Sequence, residues 1–321
     1  MTIEYYQPLV RGFDRMKKAL FQPFDLRKWC LVGFTAFLAG ATEWQGGGSG
    51  RFGPKHNGDI EDVLHFPEQA REWLTLHPGW ASLIAAGLVL LAGLIVLITW
   101  LSSRGRFMFL DNVVHDRDRV SEPWHEYRNL GNSLFVWQLA FGLITLAVFL
   151  AYLGFCFSIL HRMMADGLSV KVLAWNALPM VLGLSGLILI AVTITVFWND
   201  FVVAIMYKHG LETAAAWRRF WNVFKIHPVH FFLYGIVVFF LRILVVMLVA
   251  VVGVITCCIG FILLAIPYVN SVVTLPISYT LRTFSLEYLA QFGGDFNVFP
   301  SPKGKKTGTA KTGPVKRRTG K

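Results

Sequence analysis

The sequence is poor in cysteine and contains none of the short motifs that mark common enzyme active sites. Only four of the 321 residues are cysteines, and their spacing suggests neither a zinc site nor an extracellular disulfide framework. The HExxH, GxSxG and Walker patterns are missing, as is the HxE…PCxxC signature of zinc deaminases. His227 and His230 lack carboxylate or cysteine ligands nearby in the sequence, which favours interfacial histidines over a metal site. We therefore predict no enzymatic activity, no cofactor and no metal.

Apolar and aromatic residues, in contrast, are abundant. Apolar residues make up 55% of the chain, the mean hydropathy is +0.54, and there are 27 phenylalanines and 11 tryptophans. This composition is far from that of a soluble domain, and tryptophan is typical of membrane interfaces. Several apolar windows reach the roughly 20 residues that cross a hydrocarbon core of about 30 Å. The predicted fold class is therefore all-α, a polytopic transmembrane helical bundle.

Six apolar segments are candidate spans. The first is short and needs flanking residues or a locally thinner bilayer. The last contains Pro267 and Pro276, which neighbouring helices can accommodate. A signal peptide is the alternative for the first segment, because Ala39-Gly40-Ala41 resembles a cleavage site, but the 28 residues before it favour a retained helix. The predicted spans are 29–42, 80–101, 134–160, 172–198, 229–257 and 260–284.

The distribution of basic residues predicts the orientation of these spans. Lysine and arginine are concentrated in residues 1–28, in the connections after the second and fourth spans, and in the C-terminal tail. The connection 43–79 has only three basic residues against six acids. Because positive residues accumulate on the cytoplasmic side of a membrane, we predict that both termini are cytoplasmic. The expected location is the bacterial inner membrane, crossed several times.

Three parts of the chain resemble one another, which predicts an internal repeat. A segment with one aromatic face and one basic or polar face precedes each pair of spans, as in helices that lie in the headgroup plane. In addition, FMFLDNVV at 107–114 resembles VFWNDFVV at 196–203. We therefore predict three units, each an interfacial helix followed by a transmembrane hairpin. The predicted aromatic and apolar faces are Phe13, Met16, Leu20 and Phe24; Trp124, Tyr127, Gly131 and Leu134; and Trp217, Phe220, Trp221 and Phe224.

Each even-numbered span has a carboxylate near its predicted cytoplasmic end, and these are Asp111, Asp200 and Glu287. One interpretation is a pseudo-threefold acidic cluster that gates a cytoplasmic mouth or binds a cation. The other is that each carboxylate caps the following helix or pairs with a local base such as Arg106 or Arg282. The second interpretation is the more ordinary one, and the sequence favours it.

Arg242 is a full positive charge near the middle of the most apolar segment. A charge at that depth costs about 2.5–3.5 kcal/mol on insertion scales. The predicted turn near residue 258 brings polar groups of the sixth span to the same level, and arginine has five donors to offer them. The leading interpretation is a structural arginine that donates hydrogen bonds to these groups. Because none of them is an acid, the alternatives are a bound anion or lipid phosphate, and long-range pairing with one of the three carboxylates above. The candidate ligand-binding residues are Arg242, Asn270, Ser271 and Thr274.

These features divide the chain into three parts. Residues 1–28 form a cytoplasmic amphipathic segment, and residues 29–299 form the six-span membrane domain with an extracytoplasmic loop at 43–79. Residues 300–321 form a tail with eight basic residues and no acid. The tail is predicted to be disordered and to lie on an anionic membrane surface. It has no feature that would stack on or read bases, so no nucleic acid partner is expected.

The order of residues over Gly210–Leu233 and the closing segment TLPISYTLRTFSLEYLAQFGGDF resemble a family of uncharacterised bacterial and archaeal six-helix integral membrane proteins. That family is distantly similar to the membrane domain of some glycerophosphodiester phosphodiesterases. The resemblance covers most of residues 1–299 and implies the fold and the location, without an established activity. The soluble phosphodiesterase domain is not part of this chain, so the resemblance does not imply that activity.

Two functions remain open from the sequence. The first is a non-enzymatic scaffold or accessory subunit that engages anionic lipid and a partner membrane protein. The second is a transporter or channel for a lipid or a small anionic solute, with Arg242 as a ligand contact. A polar cavity that reaches Arg242 would favour the transporter, whereas a dry packed core would favour the scaffold.

Overall fold

The structure, a computed structural model, describes residues 3–42, 69–117, 120–165, 170–255 and 266–299. Within these ranges the chain is helical and forms no strand, as the predicted all-α class requires. Most of the predicted loop, residues 43–68, and the tail at 300–321 lie outside the described residues. The helices are α1 (Tyr6–Phe21), α2 (Leu26–Gly40), α3 (Pro78–His115), α4 (Ser121–Glu126), α5 (Arg128–Ala165), α6 (Val170–Phe197), α7 (Val203–His209), α8 (Thr213–Ile226), α9 (Pro228–Ile255), α10 (Pro267–Val273) and α11 (Leu275–Ala290).

Four segments of the described chain are long and apolar enough to cross a membrane, which is the architecture of a membrane protein. α3 and α5 contain 38 residues each. At a rise of 1.5 Å per residue each is about 57 Å long, nearly twice the hydrocarbon thickness of about 30 Å. Part of each helix must therefore extend beyond the hydrocarbon. The four segments are Pro78–His115, Arg128–Met163, Leu178–His209 and Pro228–Ile255.

The first and sixth predicted spans correspond to shorter helices. α2 has 15 residues, about 22 Å, and its end lies beside the middle of α3, where Ser102 Oγ donates to the Ala39 carbonyl at 2.9 Å. The last predicted span is divided into α10 and α11 at Thr274. Residues 256–265, which precede α10, lie outside the described part of the chain. The count of six spans therefore stays a prediction.

The buried residues are concentrated at one end of the molecule. Residues 102–114 of α3 are all buried, as are most of residues 198–206 and 283–289. The most apolar windows of the four long segments, in contrast, are almost entirely unburied. The molecule therefore consists of a packed core, formed where the helix ends meet, and of four apolar arms whose side chains face the surrounding lipid.

α1 packs lengthwise on α11. A side chain at Gly12 would come within 3.2 Å of the Phe284 amide nitrogen, so the glycine permits this close approach. Met16 and Leu20 from the predicted apolar face are buried. Phe13 is exposed because the buried face is rotated towards Gly12, and Phe24 is exposed beyond the end of the helix. Helix α1 is thus part of the packed core, and only its outer face is free to meet a headgroup region.

Aromatic rings fill the centre of the core. Phe201 is fully buried, and its ring centroid lies 5.5 Å from Phe220, 5.2 Å from Phe231 and 4.7 Å from Tyr234. These rings belong to the segment between α6 and α7, to α8 and to α9. Phe220 from the predicted face of α8 thus points into the core, whereas Trp221 remains exposed.

Candidate functional site

A π-helical turn, Trp198–Val202, joins α6 to α7 and carries two of the polar residues of the site. Such turns are rare and are frequently found at functional sites. Asn199 and Asp200 lie in this turn, at the boundary between the apolar arm and the packed core. The π-helical turn therefore lies where the chain passes from the apolar arm into the packed core.

Three arginines surround a cavity of about 180 Å³ at this boundary. Arg106 comes from α3, Arg242 from α9 and Arg282 from α11. Asn199, Asp200 and Ser278 complete its polar lining. Arginine remains protonated in proteins, so three guanidinium groups face a cavity that has a single carboxylate. The local charge is strongly positive.

Two of these guanidinium groups are held by the protein. Arg106 donates to the Asn199 side-chain oxygen, to Thr42 Oγ1 at 2.9 Å and to the Ala39 carbonyl at 3.4 Å. Arg282 donates to the Asn199 carbonyl. Asp200 accepts a hydrogen bond of 2.9 Å from the Tyr234 hydroxyl. These bonds fix one wall of the cavity.

Arg242 is different, because its side chain has no hydrogen bond or ion pair within the residues that the structure describes. Helical side chains incline towards the N-terminus of their helix, and the N-terminal end of α9 is the end buried in the core at Phe231 and Tyr234. Arg242 therefore inclines towards the core and presents its guanidinium to the cavity. This guanidinium is available to a ligand.

A second, larger space of about 760 Å³ begins at the same two residues, Asn199 and Arg242. Its remaining walls are apolar side chains and two threonines of α5 and α6, including Leu146 and Val192, which are exposed to the surroundings. This groove thus connects the lipid-facing surface of the arms with the arginine cavity.

A third space of about 230 Å³ adjoins the arginine cavity on its other side, since Ala36, Gly40 and Ser278 line both. Asn270 and Ser271 also line it. Ser271 Oγ donates to the Pro267 carbonyl at 3.2 Å, and Thr274 Oγ1 donates to the Asn270 carbonyl at 2.7 Å. The predicted partners of Arg242 are therefore not its direct neighbours: Asn270 and Ser271 face the adjoining space, and the Thr274 hydroxyl is used within its own helix.

The three predicted carboxylates have separate surroundings. Glu287 accepts from Arg15 of α1 at 2.8 Å, and only Asp200 lines the arginine cavity. Asp111 accepts from the Tyr207 hydroxyl at 2.7 Å and from His115 at 3.0 Å. In the described part of the chain, the three do not line one cavity.

Tyr127 also donates to Asp111, over 3.3 Å. Burial raises the pKa of Tyr127 to about 12, so its hydroxyl stays protonated and remains a donor at neutral pH. Asp111 is thus satisfied by tyrosine and histidine side chains, as expected of a buried carboxylate with a structural role.

Arg106, Asn199, Arg282 and Ser278 were missed as site residues in the sequence, although a signal for two of them is present. RFMFLD at 106–111 and RTFSLE at 282–287 share an arginine five residues before the carboxylate and a leucine directly before it. In the middle copy, TVFWND at 195–200, a threonine stands in place of the arginine. The third guanidinium, that of Arg242, lies on α9, outside these similar segments.

The arrangement is suited to binding an anion. Three guanidinium groups that line one cavity can donate hydrogen bonds to the oxygens of a phosphate or a carboxylate.

No group of three histidine, cysteine or acidic side chains that could hold a metal occurs among the described residues. His230 is engaged by the Tyr5 hydroxyl at 3.1 Å, which gives it a role at the contact between α9 and the segment before α1.

The model of a family of unknown function (DUF7544) matches residues 7–298. This range includes every residue that lines the arginine cavity. No curated protein and no solved structure matches the chain. The expected membership of an uncharacterised family is confirmed, whereas the likeness to phosphodiesterase membrane domains stays a prediction.

Proposed function

Because the chain belongs to this family of unknown function, its function has to be argued from its own geometry, and we propose that it binds an anionic membrane lipid. The observation that carries this proposal is the guanidinium of Arg242, which lines a cavity with two other arginines and has no partner within the described residues. An ionisable residue within a spanning helix is costly and points to a functional site.

The positive charge of the cavity requires compensation. Asp200 supplies one negative charge against three arginines, and attraction between charges is strong where water is scarce. A phosphate group provides several acceptor oxygens, which suits the donor-only guanidinium groups. An anionic headgroup thus meets both the charge and the hydrogen-bonding requirement of the cavity.

The groove between α5 and α6 favours a lipid over a free inorganic anion. It is apolar over most of its length and ends at Arg242 and Asn199. An acyl chain can lie in the groove while the headgroup occupies the arginine cavity, since the two spaces share these two residues. A free anion would leave the apolar groove unused.

A second candidate function is transport of such a lipid. The support for it is the space lined by Asn270 and Ser271, which adjoins the arginine cavity and shares no lining residue with the groove. A passive scaffold has no need of such connected spaces beside a spanning helix. We therefore favour a lipid carrier or transporter over a scaffold, and we propose a non-enzymatic role in either case.

The transport function is tested by movement of a headgroup-labelled anionic lipid between the leaflets of proteoliposomes. We expect faster movement with the wild-type protein than with empty vesicles, and a loss of the acceleration in Arg242→Leu. Equal rates for wild-type and empty vesicles would limit the function to binding.

For the membrane arrangement, we propose the bacterial inner membrane, six spans in three repeated units and two cytoplasmic termini. The basic composition of residues 1–28 and of the tail supports this orientation. In this proposal α2 belongs to the first span, and α10 and α11 belong to the last. The tail is proposed to contact anionic lipid, and a partner membrane protein remains a further expectation.

Lipid binding is tested by native mass spectrometry of the full-length protein extracted in mild detergent. We expect wild-type protein to retain anionic phospholipid and Arg242→Leu to lose at least nine-tenths of it, about a tenfold effect for one lost charge-assisted contact. Arg162→Leu is the matched control, because Arg162 is an exposed arginine near the end of α5 remote from the cavity. Arg162→Leu should retain lipid like the wild type.

The opposite result is equally informative. If Arg242→Leu and Arg162→Leu carry the same amount of phospholipid as the wild type, the cavity is not a lipid site. The proposal would then be wrong, and Arg242 would have a purely structural role.

A further inference from the structure

Three connected spaces lie at the boundary between core and arms. The apolar groove shares Arg242 and Asn199 with the arginine cavity, and the arginine cavity shares Ser278 with the space that Asn270 lines. A ligand that fills all three in order has an apolar chain, an anionic group and a further polar group. The order of the three spaces thus fits an amphiphilic lipid whose phosphate carries a further polar group.

We propose that the lipid bound at this site is a phosphodiester whose headgroup carries hydroxyl groups, and that Asn270 and Ser278 recognise those hydroxyls. This inference rests on the proposed lipid-binding function and makes its ligand more specific. It assigns the phosphate to the three arginines and the hydroxylated end of the headgroup to the space of about 230 Å³ lined by Asn270.

The hydrogen-bonding capacity of the third space supports a hydroxylated ligand. Within the described residues, neither the Asn270 amide group nor the Ser278 hydroxyl has a hydrogen-bond partner. An asparagine side chain offers two donors and an acceptor, and a serine hydroxyl can donate and accept. A ligand hydroxyl also donates and accepts, so it can satisfy both side chains at once.

Other headgroups fit this space less well. An ammonium group is best neutralised by a carboxylate, and Asp200, the only carboxylate among these linings, lies in the arginine cavity beside three guanidinium groups. A phosphate monoester ends at the phosphate and leaves the third space to water. At about 230 Å³ that space is far larger than one water molecule needs, so it can hold a further group of the ligand.

The test is competitive lipid binding to the full-length protein. Detergent-solubilised protein is stripped of lipid and then offered equal amounts of phosphatidylglycerol, phosphatidic acid and phosphatidylethanolamine with identical acyl chains, and bound species are counted by native mass spectrometry. We expect wild-type protein to prefer phosphatidylglycerol to phosphatidic acid by at least fivefold, about the effect of one net hydrogen bond. Phosphatidylethanolamine should bind least.

Variants separate this inference from the function on which it rests. Asn270→Leu and Ser278→Ala should each reduce the preference for phosphatidylglycerol towards equality while phosphatidic acid binding is maintained. Ser271→Ala is the matched control, because the Ser271 hydroxyl lines the same space but donates to the Pro267 carbonyl, and it should keep the wild-type preference. Arg242→Leu should lose both anionic lipids.

The outcomes that overturn the inference are distinct from those that overturn lipid binding. Equal binding of the two anionic lipids by wild-type protein, or an unchanged preference in both Asn270→Leu and Ser278→Ala, would refute headgroup recognition and leave the arginine site standing. Retention of both lipids by Arg242→Leu would refute the lipid site itself. Each variant is first compared with the wild type by thermal unfolding, and if Asn270→Leu does not fold, Ser278→Ala decides.

Discussion

The core and the arms of this protein both contain large apolar side chains but differ in what surrounds them. Phe201 in the core is fully buried among other rings, whereas Phe239, about three turns into α9, is 59% exposed. Hydropathy alone does not distinguish these two phenylalanines. The difference arises because helix ends from all parts of the chain meet at the core, whereas the apolar windows of the arms remain almost entirely unburied.

The two regions also treat charge differently. In the core, the buried carboxylate of Glu287 is met by Arg15 at 2.8 Å, and Asp111 is met by tyrosine and histidine side chains. At the boundary with the arms, Arg242 has no such partner in the described chain. The charged groups of the core thus stabilise contacts between its helices, whereas the guanidinium of Arg242 at the boundary is available to a ligand.

The largest expected effect is on the aromatic centre. Phe201→Ala should destabilise the protein by about 3–5 kcal/mol, because it removes a fully buried ring and leaves a cavity. Thermal unfolding in detergent, followed by tryptophan fluorescence, measures the loss. Phe239→Ala is the matched control, and its effect should be small because the side chain is exposed on the arm. Equal losses for both variants would remove the distinction between core and arms.

Two glycines of α3, one in the core and one on the arm, allow the same comparison within a single helix. Gly105 of α3 faces α2, where a Cβ would stand 2.5 Å from Leu38 Cβ and 2.7 Å from the Ala39 nitrogen. Gly105→Ala should therefore force the two helices apart and cost about 3 kcal/mol, as overpacking does. Gly87, on the arm of the same helix, has no atom within 4 Å of such a Cβ. Gly87→Ala should unfold at the wild-type temperature, and a loss of stability there would mean that the arm is packed.

The ion pair between Arg15 and Glu287 can be compared with a longer contact made by a second arginine of α1. Arg15 and Arg11 both approach Glu287, at 2.8 and 3.8 Å, but Arg11 is the more exposed. Arg15→Leu should cost about 2 kcal/mol, less than for a fully buried pair because Arg15 is itself half exposed. Arg11→Leu should cost under about 1 kcal/mol, as exposed pairs do. The reverse order, measured by thermal unfolding, would show that the nearer contact does not hold α1 to α11.

The helical class and the positions of the four longest apolar segments were predictable, because apolar length is a local property of the sequence. The predicted segments 80–101 and 134–160 lie within α3 and α5. What was not predictable is how far these helices continue. Residues 102–114 remain helical and buried because they pack against α2 and other helix ends, and such contacts between distant parts of the chain have no local signature.

The candidate site was predictable only in part. Arg242 could be identified because a charge in an apolar segment is conspicuous. Its neighbours could not, because reflection through the turn near residue 258 assumes two straight antiparallel helices. The last helix is divided at Thr274, and Asn199 and Asp200 enter the cavity from a π-helical turn. The repeated arginine before Asp111 and Glu287 was the one available signal for the other two guanidinium groups.

The smallest expected effect on stability belongs to Arg242, and it separates a ligand contact from a structural one. Because the guanidinium has no protein partner within the described residues, Arg242→Leu should change the stability of lipid-free protein by less than about 0.5 kcal/mol. Added phosphatidylglycerol should then raise the unfolding temperature of the wild type alone, by the equivalent of about 2.7 kcal/mol at a hundred times the dissociation constant. A large loss of stability in the absence of lipid would instead show that Arg242 stabilises the fold, since a charge already compensated by the protein has no need of a ligand.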